Sequence, residues 1–267
     1  MTVGPRPSCF RPITARSVRG FTLVELLVTI GVIGLLIAIL LPALGGAMSS
    51  ARRFRCQMSQ RSVAFDFSVF ADETLHGDRG NDRYIGAGRF TIETFQESEY
   101  GVDEFWRWNG VTTVTTPDDS GWDPLRCPEV TEPMVLRSNS PCSGGAISPP
   151  SSVSYAFNLR LHRREVEVFP GAWGLRPVEL DERVLDYSDV PLLIDADGAE
   201  ATRLGVTPIY TAPAAGSSGP LAGDAFWFPS SRHHGSTNIA FIDGHVVATK
   251  TPADIPGWAV DPGLRRP

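Results

Sequence analysis

One apolar run limits what this chain can fold into more than any other feature of its sequence. Residues 21–44 read FTLVELLVTIGVIGLLIAILLPAL and contain a single charged residue, Glu25. At a rise of about 1.5 Å per residue, a helix of this length measures about 36 Å, which is enough to cross a hydrocarbon core of about 30 Å. The run therefore predicts a transmembrane helix.

The residues on either side of the run bear on its orientation. Residues 1–20 contain four arginines and no acidic residue, whereas the whole chain has a formal charge of −6. A basic flank favours a cytoplasmic N-terminus and export of the residues that follow the helix. Arg52, Arg53, Arg55 and Arg61 oppose this orientation, because they would lie on the exported side. The acidic remainder of the chain argues against a nucleic-acid partner.

A cleaved secretory signal peptide is the alternative for this region. The apolar part of a signal peptide is about 7 to 15 residues long and ends near small residues. The run here is longer, but small residues follow it up to Ala47. Cleavage after Ala47 therefore stays open beside the transmembrane interpretation.

The junction Gly20-Phe21-Thr22-Leu23-Val24-Glu25 resembles the prepilin-type cleavage and methylation segment of type IV pilins and type II secretion pseudopilins. The resemblance implies that a prepilin peptidase cuts after Gly20 and methylates the new amine of Phe21. It also implies a single-pass protein of the bacterial inner membrane, whose head is exported to the periplasm or the cell surface. The implied partners are the peptidase, other pilin-like subunits and an inner-membrane assembly platform.

Glu25 needs a stabilising partner, because an ionisable group in an apolar span costs roughly 2.5 to 3.5 kcal/mol on insertion scales. The resemblance implies that the partner is the N-terminal ammonium of an adjacent subunit in a fibre, within a low-dielectric core. The alternative is a carboxylate that is favoured by the helix macrodipole and stays at the cytoplasmic interface.

A proline and two glycines weaken the apolar helix. Pro42 removes a helix hydrogen bond, and Gly31 and Gly34 lower the helix propensity upstream of it. These residues predict a helix bend, and pilins that resemble this chain often carry a proline at this point. The alternative is that Gly and Pro are simply frequent in transmembrane helices.

The fold predicted for the chain is α+β, with a long N-terminal helix packed on an antiparallel, β-rich, pilin-like head. Its apolar residues recur at helical spacing after Pro42, which predicts an amphipathic helix to about Ala71 with these residues in the core: Ala51, Phe54, Met58, Phe65 and Val69. The expected segments are a leader at 1–20, the membrane and assembly helix at 21–44, its amphipathic continuation at 45–73 and the exported head at 74–267.

Short β-rich runs between Gly, Pro and Asp residues predict the strands of the head. The candidate strands are 89–95, 111–116, 153–161, 165–169, 190–194, 225–228, 238–242 and 245–249. The last two flank Asp243-Gly244, which predicts a hairpin with a type I′ turn.

Nine residues separate His233 from Asp243-Gly244, and this His-x9-Asp-Gly arrangement resembles the C-terminal signature of a large group of prepilin-like exported proteins. Other marks of that group are Arg-Phe-Arg-Cys at 53–56, Arg-Cys-Pro at 126–128, Ser-Tyr-Ala-Phe-Asn at 154–158 and Pro-Leu-Leu-Ile-Asp at 191–195. The chain departs from the group at 57–60, where Gln-Met-Ser-Gln replaces an asparagine-rich stretch.

Several side chains of the head are of the types that bind divalent metals. Asp195 and Asp197 resemble the first half of a calcium loop, and major pseudopilins bind calcium near their C-terminal loops. Against this metal interpretation, Asp243 and Gly244 make a turn, and His233 hydrogen-bonds to neighbouring backbone. No cofactor is expected on this second interpretation, whereas the first predicts Ca²⁺.

Removal of the leader leaves three cysteines in the mature chain, so at least one has no intramolecular partner. Export permits disulfides. Cys127 and Cys142 enclose a short loop and are the first choice of pair. The group resemblance implies Cys56–Cys127 instead, which would tie the helix to the head.

Two functions are compatible with these features. The first is a structural pseudopilin-like subunit that assembles through its N-terminal helix into a type II secretion or type IV pilus-like fibre, and it is not an enzyme. The second is a membrane-anchored exported enzyme or ligand-binding protein that uses the region of His233, His234 and Asp243. No G-x-S-x-G, H-E-x-x-H or phosphate-binding glycine-rich motif supports the enzyme.

Overall fold

A long N-terminal helix followed by a β-rich head makes up the part of the chain that a computed structural model describes. The described residues are 20–76, 88–100, 113–115, 125–130, 135–137, 146–148, 150–214 and 222–260. The predicted α+β class is confirmed. The chain divides into two compact units, Met1–Met48 and Ser49–Pro267. Most of the leader and Cys142 lie outside the described residues.

Helix α1 runs from Leu23 to Ala71 and ends where the sequence predicts. Its N-terminus is a capping box, because the Thr22 N–H and hydroxyl each donate to Glu25 Oε2 at 2.9 Å, and Glu25 N–H donates to Thr22 Oγ1 at 3.3 Å. The helix is continuous through Pro42, and the predicted bend there stays a prediction. The other helices are α2 (Glu73–His76), α3 (Ile92–Tyr100), α4 (Leu159–His162) and α5 (Gly198–Leu204).

The face of α1 that packs into the head is not the predicted one. Phe54, Met58 and Phe65 are 63%, 42% and 64% exposed. The buried residues are Cys56, Ser59, Gln60, Val63, Ala64, Phe67, Phe70 and Ala71. The prediction was wrong because it followed apolar residues alone, whereas polar groups lie on the buried face and are compensated by hydrogen bonds within the head.

The N-terminus of α3 replaces a predicted strand. Thr91 and Thr94 cap each other reciprocally: Thr94 N–H donates to Thr91 Oγ1 at 3.1 Å, and Thr91 N–H donates to Thr94 Oγ1 at 3.2 Å. These bonds satisfy N–H groups that a helix start leaves unpaired. The strand predicted at 89–95 is therefore wrong apart from an isolated bridge between Phe90 and Leu180. The helix brings Phe95 against Phe67 and Phe70 of α1.

The head contains ten short strands in the described ranges. They are β1 (Thr113–Thr115), β2 (Val135–Arg137), β3 (Ala146–Ser148), β4 (Tyr155–Asn158), β5 (Arg163–Phe169), β6 (Ala172–Pro177), β7 (Pro191–Asp195), β8 (Tyr210–Thr211), β9 (Thr237–Phe241) and β10 (Val246–Thr249). β1–β2–β3 form one antiparallel sheet and β5–β6 a two-stranded ribbon. The strand predicted at 225–228 is absent, since Asp224–Phe226 form a 3₁₀ turn.

The central sheet has the strand order β10-β9-β7-β4-β8. It is antiparallel as predicted except for the β4–β8 pair, which is parallel. Because side chains alternate across a strand, its two faces carry different residues. Phe157, Leu193 and Ala240 pack with the core that includes α1. Ile194 and Ile239 pack on the other face, together with α5 and Trp258.

The predicted hairpin between β9 and β10 is present, but its turn is not type I′. Gly244 has φ 86°, whereas Asp243 is not among the described residues with positive φ. Gly244 N–H donates to Phe241 O at 2.9 Å, and Phe241 N–H donates to His245 O at 3.0 Å. This is a three-residue loop with glycine in the left-handed position. Asp243 accepts from His245 N–H at 3.0 Å, which stabilises the loop.

Phe65 and Phe67 of α1 provide a matched test of the observed packing face. Phe67 is fully buried and its ring meets Phe90 and Phe95 edge-on, with centroids 5.9 and 5.2 Å away. We expect Phe67→Ala to lower the free energy of unfolding of the head by about 3–5 kcal/mol, and Phe65→Ala to change it by less than about 0.5 kcal/mol. Denaturant titration of the full chain in detergent, followed by near-UV circular dichroism, measures both. Equal losses would contradict the assigned face.

Candidate functional site

Four elements bring chemically reactive side chains to one buried point beneath α1. Cys56 lies on α1, Cys127 in the 125–130 segment, Asp195 at the end of β7 and His233 in the loop before β9. The strand alternation that points Leu193 toward α1 points Asp195 the same way, because the two residues are two positions apart. All four side chains are buried.

The reactive atoms of this Cys–Cys–His–Asp cluster lie within contact distance of one another. Cys56 Sγ is 3.2 Å from Asp195 Oδ1, and Cys127 Sγ is 3.4 Å from His233 Nε2. His233 Nε2 is 3.4 Å from Asp195 Oδ2. The ligand atoms of Cys56, Cys127 and His233 all lie within 4.8 Å of one another. These three side chains could together bind a metal ion.

Asp195 is the most connected member of the cluster. Its Oδ1 accepts from Gln60 Nε2 at 2.8 Å, and its Oδ2 accepts from Asn238 N–H at 3.0 Å. Burial raises the pKa of Asp195 to about 6, against the lowering effect of the Arg232 charge. Arg232 is held beside the cluster because its guanidinium donates to the carbonyls of Ala196 and Ser154. A carboxylate without these donors would be too costly to bury.

The two thiols differ in their electrostatics. A hydrogen bond from Cys56, joined by one from His233, outweighs burial and lowers the pKa of Cys127. The same contact with Cys127, together with burial and the charge of Asp195, raises the pKa of Cys56. Burial opposes a charge on His233, but Cys127 and Asp195 outweigh it and raise the pKa of His233. The arrangement therefore favours a thiolate at Cys127 next to an imidazolium.

Two further contacts hold the outer side of the cluster. Tyr155 donates its hydroxyl proton to Cys56 Sγ at 3.2 Å. His233 Nδ1 faces Glu129 Oε1 at 3.5 Å and makes no hydrogen bond in the described part of the chain. The imidazole thus lies between a carboxylate on one side and a thiol with a second carboxylate on the other.

The structure separates the members of the His-x9-Asp-Gly motif. Asp243 and Gly244 form the hairpin turn, as the second interpretation of these residues predicts. His233 differs from that interpretation: its backbone carbonyl accepts from Ser236 N–H, but its imidazole points to Cys127 and Asp195. His234 has φ 54°, is exposed and contacts Ser49 Oγ through Nε2 at 2.9 Å.

The predicted calcium pair Asp195 and Asp197 has divided roles. Asp195 belongs to the buried cluster, whereas Asp197 caps α5 by accepting from Glu200 N–H at 3.0 Å. Among the described residues, the potential metal-ligand group is Cys56, Cys127 and His233. Calcium binding at Asp195 and Asp197 stays a prediction.

The cysteine pairing suggested by short loop length involves Cys142, which lies outside the described residues. Cys56 and Cys127, the pair that the group resemblance implies, lie side by side as free thiols. Their disulfide stays a prediction. The structure brings together residues that sequence reasoning named for separate purposes. One signal could have found them, because four of the five sequence marks of the group contribute one member each: Cys56, Cys127, Asp195 and His233.

The N-terminal unit carries the remaining predicted residues. Gly20, Phe21 and Glu25 are exposed, as are Gly31, Gly34 and Pro42. Helix α1, which contains Glu25, Gly31, Gly34 and Pro42, is long and apolar enough to cross a membrane, by length and composition. Glu25 accepts hydrogen bonds from Thr22, a local partner that sequence reasoning did not consider.

Comparison with known proteins bears on this N-terminal unit. Residues 15–41 match the family model described as the prokaryotic N-terminal methylation motif. No curated protein and no solved structure matches the chain. The match includes Gly20, Phe21 and Glu25 but does not extend to the head or to its C-terminal motif. The chain carries a prepilin-type N-terminal segment.

Proposed function

We propose that this protein is a pseudopilin-like structural subunit and not an enzyme. A prepilin peptidase cuts it after Gly20 and methylates Phe21, and α1 then assembles with other pilin-like subunits into a type II secretion or type IV pilus-like fibre. The match of residues 15–41 to the methylation motif carries the proposal. In this proposal the N-terminus is cytoplasmic, the head is exported, and an inner-membrane platform drives assembly.

The exposure of α1 supports this assembly role. Every residue from 20 to 48 is exposed, including large apolar side chains such as Leu26, Ile33 and Leu40 at 54–63%. Apolar surface on this scale requires a bilayer or other helices to cover it. A fibre whose core is built from such helices replaces the lipid contacts that each subunit loses on leaving the membrane.

The part of α1 that belongs to the second unit carries an exposed apolar stripe of its own. Phe54, Met58 and Phe65 recur at helical spacing and remain exposed, opposite the face that packs into the head. We call Phe54, Met58 and Phe65 the outer stripe. Their position fits contact with the α1 helix of a neighbouring subunit.

The enzyme alternative finds little support in the geometry. The side chain of His233 is fully buried, whereas that of Asp243 is 40% exposed in a turn. The two residues have different partners, so they do not form a shared acid–base pair. A structural role for both is simpler, because Asp243 stabilises its hairpin loop and His233 contacts buried side chains of other elements.

Processing is tested by the N-terminus of the protein recovered from membranes. We expect N-methyl-Phe21 in cells with an active prepilin peptidase and the intact leader in cells without one. Gly20→Val should block cleavage, because it changes the residue after which the peptidase cuts. The fold should not be disturbed, since a Cβ at Gly20 meets no atom within 4 Å. Intact mass and N-terminal sequencing measure this. An N-terminus near Met48, or an unprocessed chain in both strains, would contradict the proposal.

Assembly is tested by separating the charge of Glu25 from its capping role. Glu25→Gln keeps an oxygen that can accept from Thr22, since Glu and Gln both serve in a capping box, but it removes the negative charge. We expect cross-linked ladders in membranes from the wild type and their loss in Glu25→Gln, with unchanged insertion and cleavage. Thr22→Ala, which weakens the cap and keeps the charge, is the control and should retain ladders. The reverse pattern would assign Glu25 to capping alone.

The outer stripe gives a second assembly test within the exported unit. We expect Phe54→Ser/Phe65→Ser to shorten the cross-linked ladders while thermal unfolding of the head stays unchanged, because both side chains are exposed. Phe169→Ser is the matched control, since Phe169 is 70% exposed and lies on the β5–β6 ribbon, not on α1. Ladders of wild-type length in the double variant would exclude the stripe as a subunit contact.

A further inference from the structure

Packing alone does not explain the Cys–Cys–His–Asp cluster beneath α1. It places two sulfur atoms, an imidazole nitrogen and a carboxylate in contact in the interior, where four ionisable groups are expensive to bury together. Apolar side chains of similar size would pack there without that cost. A bound ligand that interacts favourably with these groups would offset the free-energy cost of burying them.

We propose that Cys56, Cys127, His233 and Asp195 form a closed, structural zinc site that joins α1 to the head. Thiolate and imidazole ligands are those that zinc prefers, and structural zinc sites bind four protein ligands in a tetrahedron. This proposal concerns the head and does not depend on the proposed fibre function.

Three contacts between the proposed ligands are close to the distances that a tetrahedron around one ion requires. Zinc–ligand bonds of about 2.3 Å to sulfur and about 2.0–2.2 Å to nitrogen or oxygen, at tetrahedral angles, place neighbouring ligand atoms about 3.3–3.8 Å apart. Cys56 Sγ–Asp195 Oδ1, Cys127 Sγ–His233 Nε2 and His233 Nε2–Asp195 Oδ2 measure 3.2, 3.4 and 3.4 Å. The two contacts of Asp195 use different carboxylate oxygens, and the ligand atoms of Cys56, Cys127 and His233 lie within 4.8 Å of one another. Closure on an ion therefore requires the four side chains to draw together around it.

The surrounding groups form the outer shell that a zinc site needs. A metal-bound histidine usually donates its second ring N–H to a carboxylate, and Glu129 lies 3.5 Å from His233 Nδ1. Gln60 and the Asn238 N–H hold Asp195, and Tyr155 donates to Cys56 Sγ. The last three contacts orient two of the ligands, Asp195 and Cys56, before an ion arrives, and Glu129 lies close to the third, His233.

The charges of the filled site balance. Zinc ligands bind in their deprotonated forms and release any protons to solvent, so the filled site holds two thiolates, a neutral imidazole and a carboxylate around a double positive charge. The net charge of −1 is offset by the Arg232 guanidinium, which is fixed beside the cluster by the carbonyls of Ala196 and Ser154. No uncompensated charge is left in the interior.

The test uses the full-length chain in detergent, reduced with a phosphine and kept anaerobic. Zn²⁺ is titrated against a chromophoric chelator, and metal content is measured by mass spectrometry. We expect one equivalent of zinc, protection of two thiols from alkylation, and a higher midpoint of thermal unfolding with zinc. Co²⁺ in place of Zn²⁺ should give sulfur-to-cobalt charge-transfer bands and the intense ligand-field bands of a tetrahedral site.

Variants assign the ligands and keep the proposal falsifiable if a buried substitution unfolds the head. Cys56→Ser, Cys127→Ser and His233→Gln should abolish stoichiometric binding, whereas His234→Gln and Cys142→Ser should retain it. Glu129→Gln, at a partly exposed residue, should lower zinc affinity about 10–100-fold. Zinc that binds equally to the ligand variants lies elsewhere and overturns the proposal. So does a reduced, folded wild type that binds none, which would leave the Cys56–Cys127 disulfide as the role of the pair.

Discussion

The buried carboxylate of Asp195 determines how α1 meets the sheet. It lies at the end of β7, fully enclosed, and takes hydrogen bonds from the Gln60 side chain on α1 and from the backbone of β9. Since a buried carboxylate must keep its donors, α1 cannot rotate or slide along the sheet without breaking them. The polar face of the helix therefore fixes its register, and the phenylalanine cluster of α1 and α3 adds apolar burial.

This choice of face has a consequence for the other side of α1. Because Cys56 and Gln60 turn inward, Phe54 and Phe65 turn outward and stay exposed. A helix that offered all its apolar residues to its own head would have little left for a neighbour. The division of α1 between an inward polar–aromatic face and an outward apolar one suits a subunit that is both a folded domain and a building block.

Local patterns predicted the parts of the fold that depend on neighbours in sequence. The apolar run and the helical spacing predicted α1 and its end at Ala71, and Asp243-Gly244 predicted the last hairpin. The type I′ turn was wrong because only Gly244 takes positive φ, and the strand at 89–95 was wrong because the reciprocal caps of Thr91 and Thr94 start a helix. The Thr-x-x-Thr pattern could have predicted this helix start. The burial of Gln60 could not be predicted, since its partner Asp195 comes from a distant strand.

Sequence reasoning identified each residue of the cluster but did not predict that these residues contact one another. Cys56 and Cys127 were considered as disulfide partners, Asp195 as a calcium ligand and His233 as part of a C-terminal motif. Their contacts depend on the strand order of the central sheet, which brings β7 between β4 and β9, and no local pattern encodes that order. The N-terminal segment differs because its signal is contiguous: sequence reasoning identified the junction at 20–25, and the family-model match at residues 15–41 covers it.

The span of chain between the partners in the cluster sets the order in which the head can fold. Cys56 is 139 residues from Asp195, and Cys127 is 106 residues from His233. Closing such long loops is entropically costly, and structures dominated by distant contacts fold slowly. During synthesis from the N-terminus, α1 emerges first, but its docking face has no complete partner until the loop before β9 has been made. Helix α1 can therefore dock stably only after the last strands of the chain have been synthesised, when most of the head is available to fold.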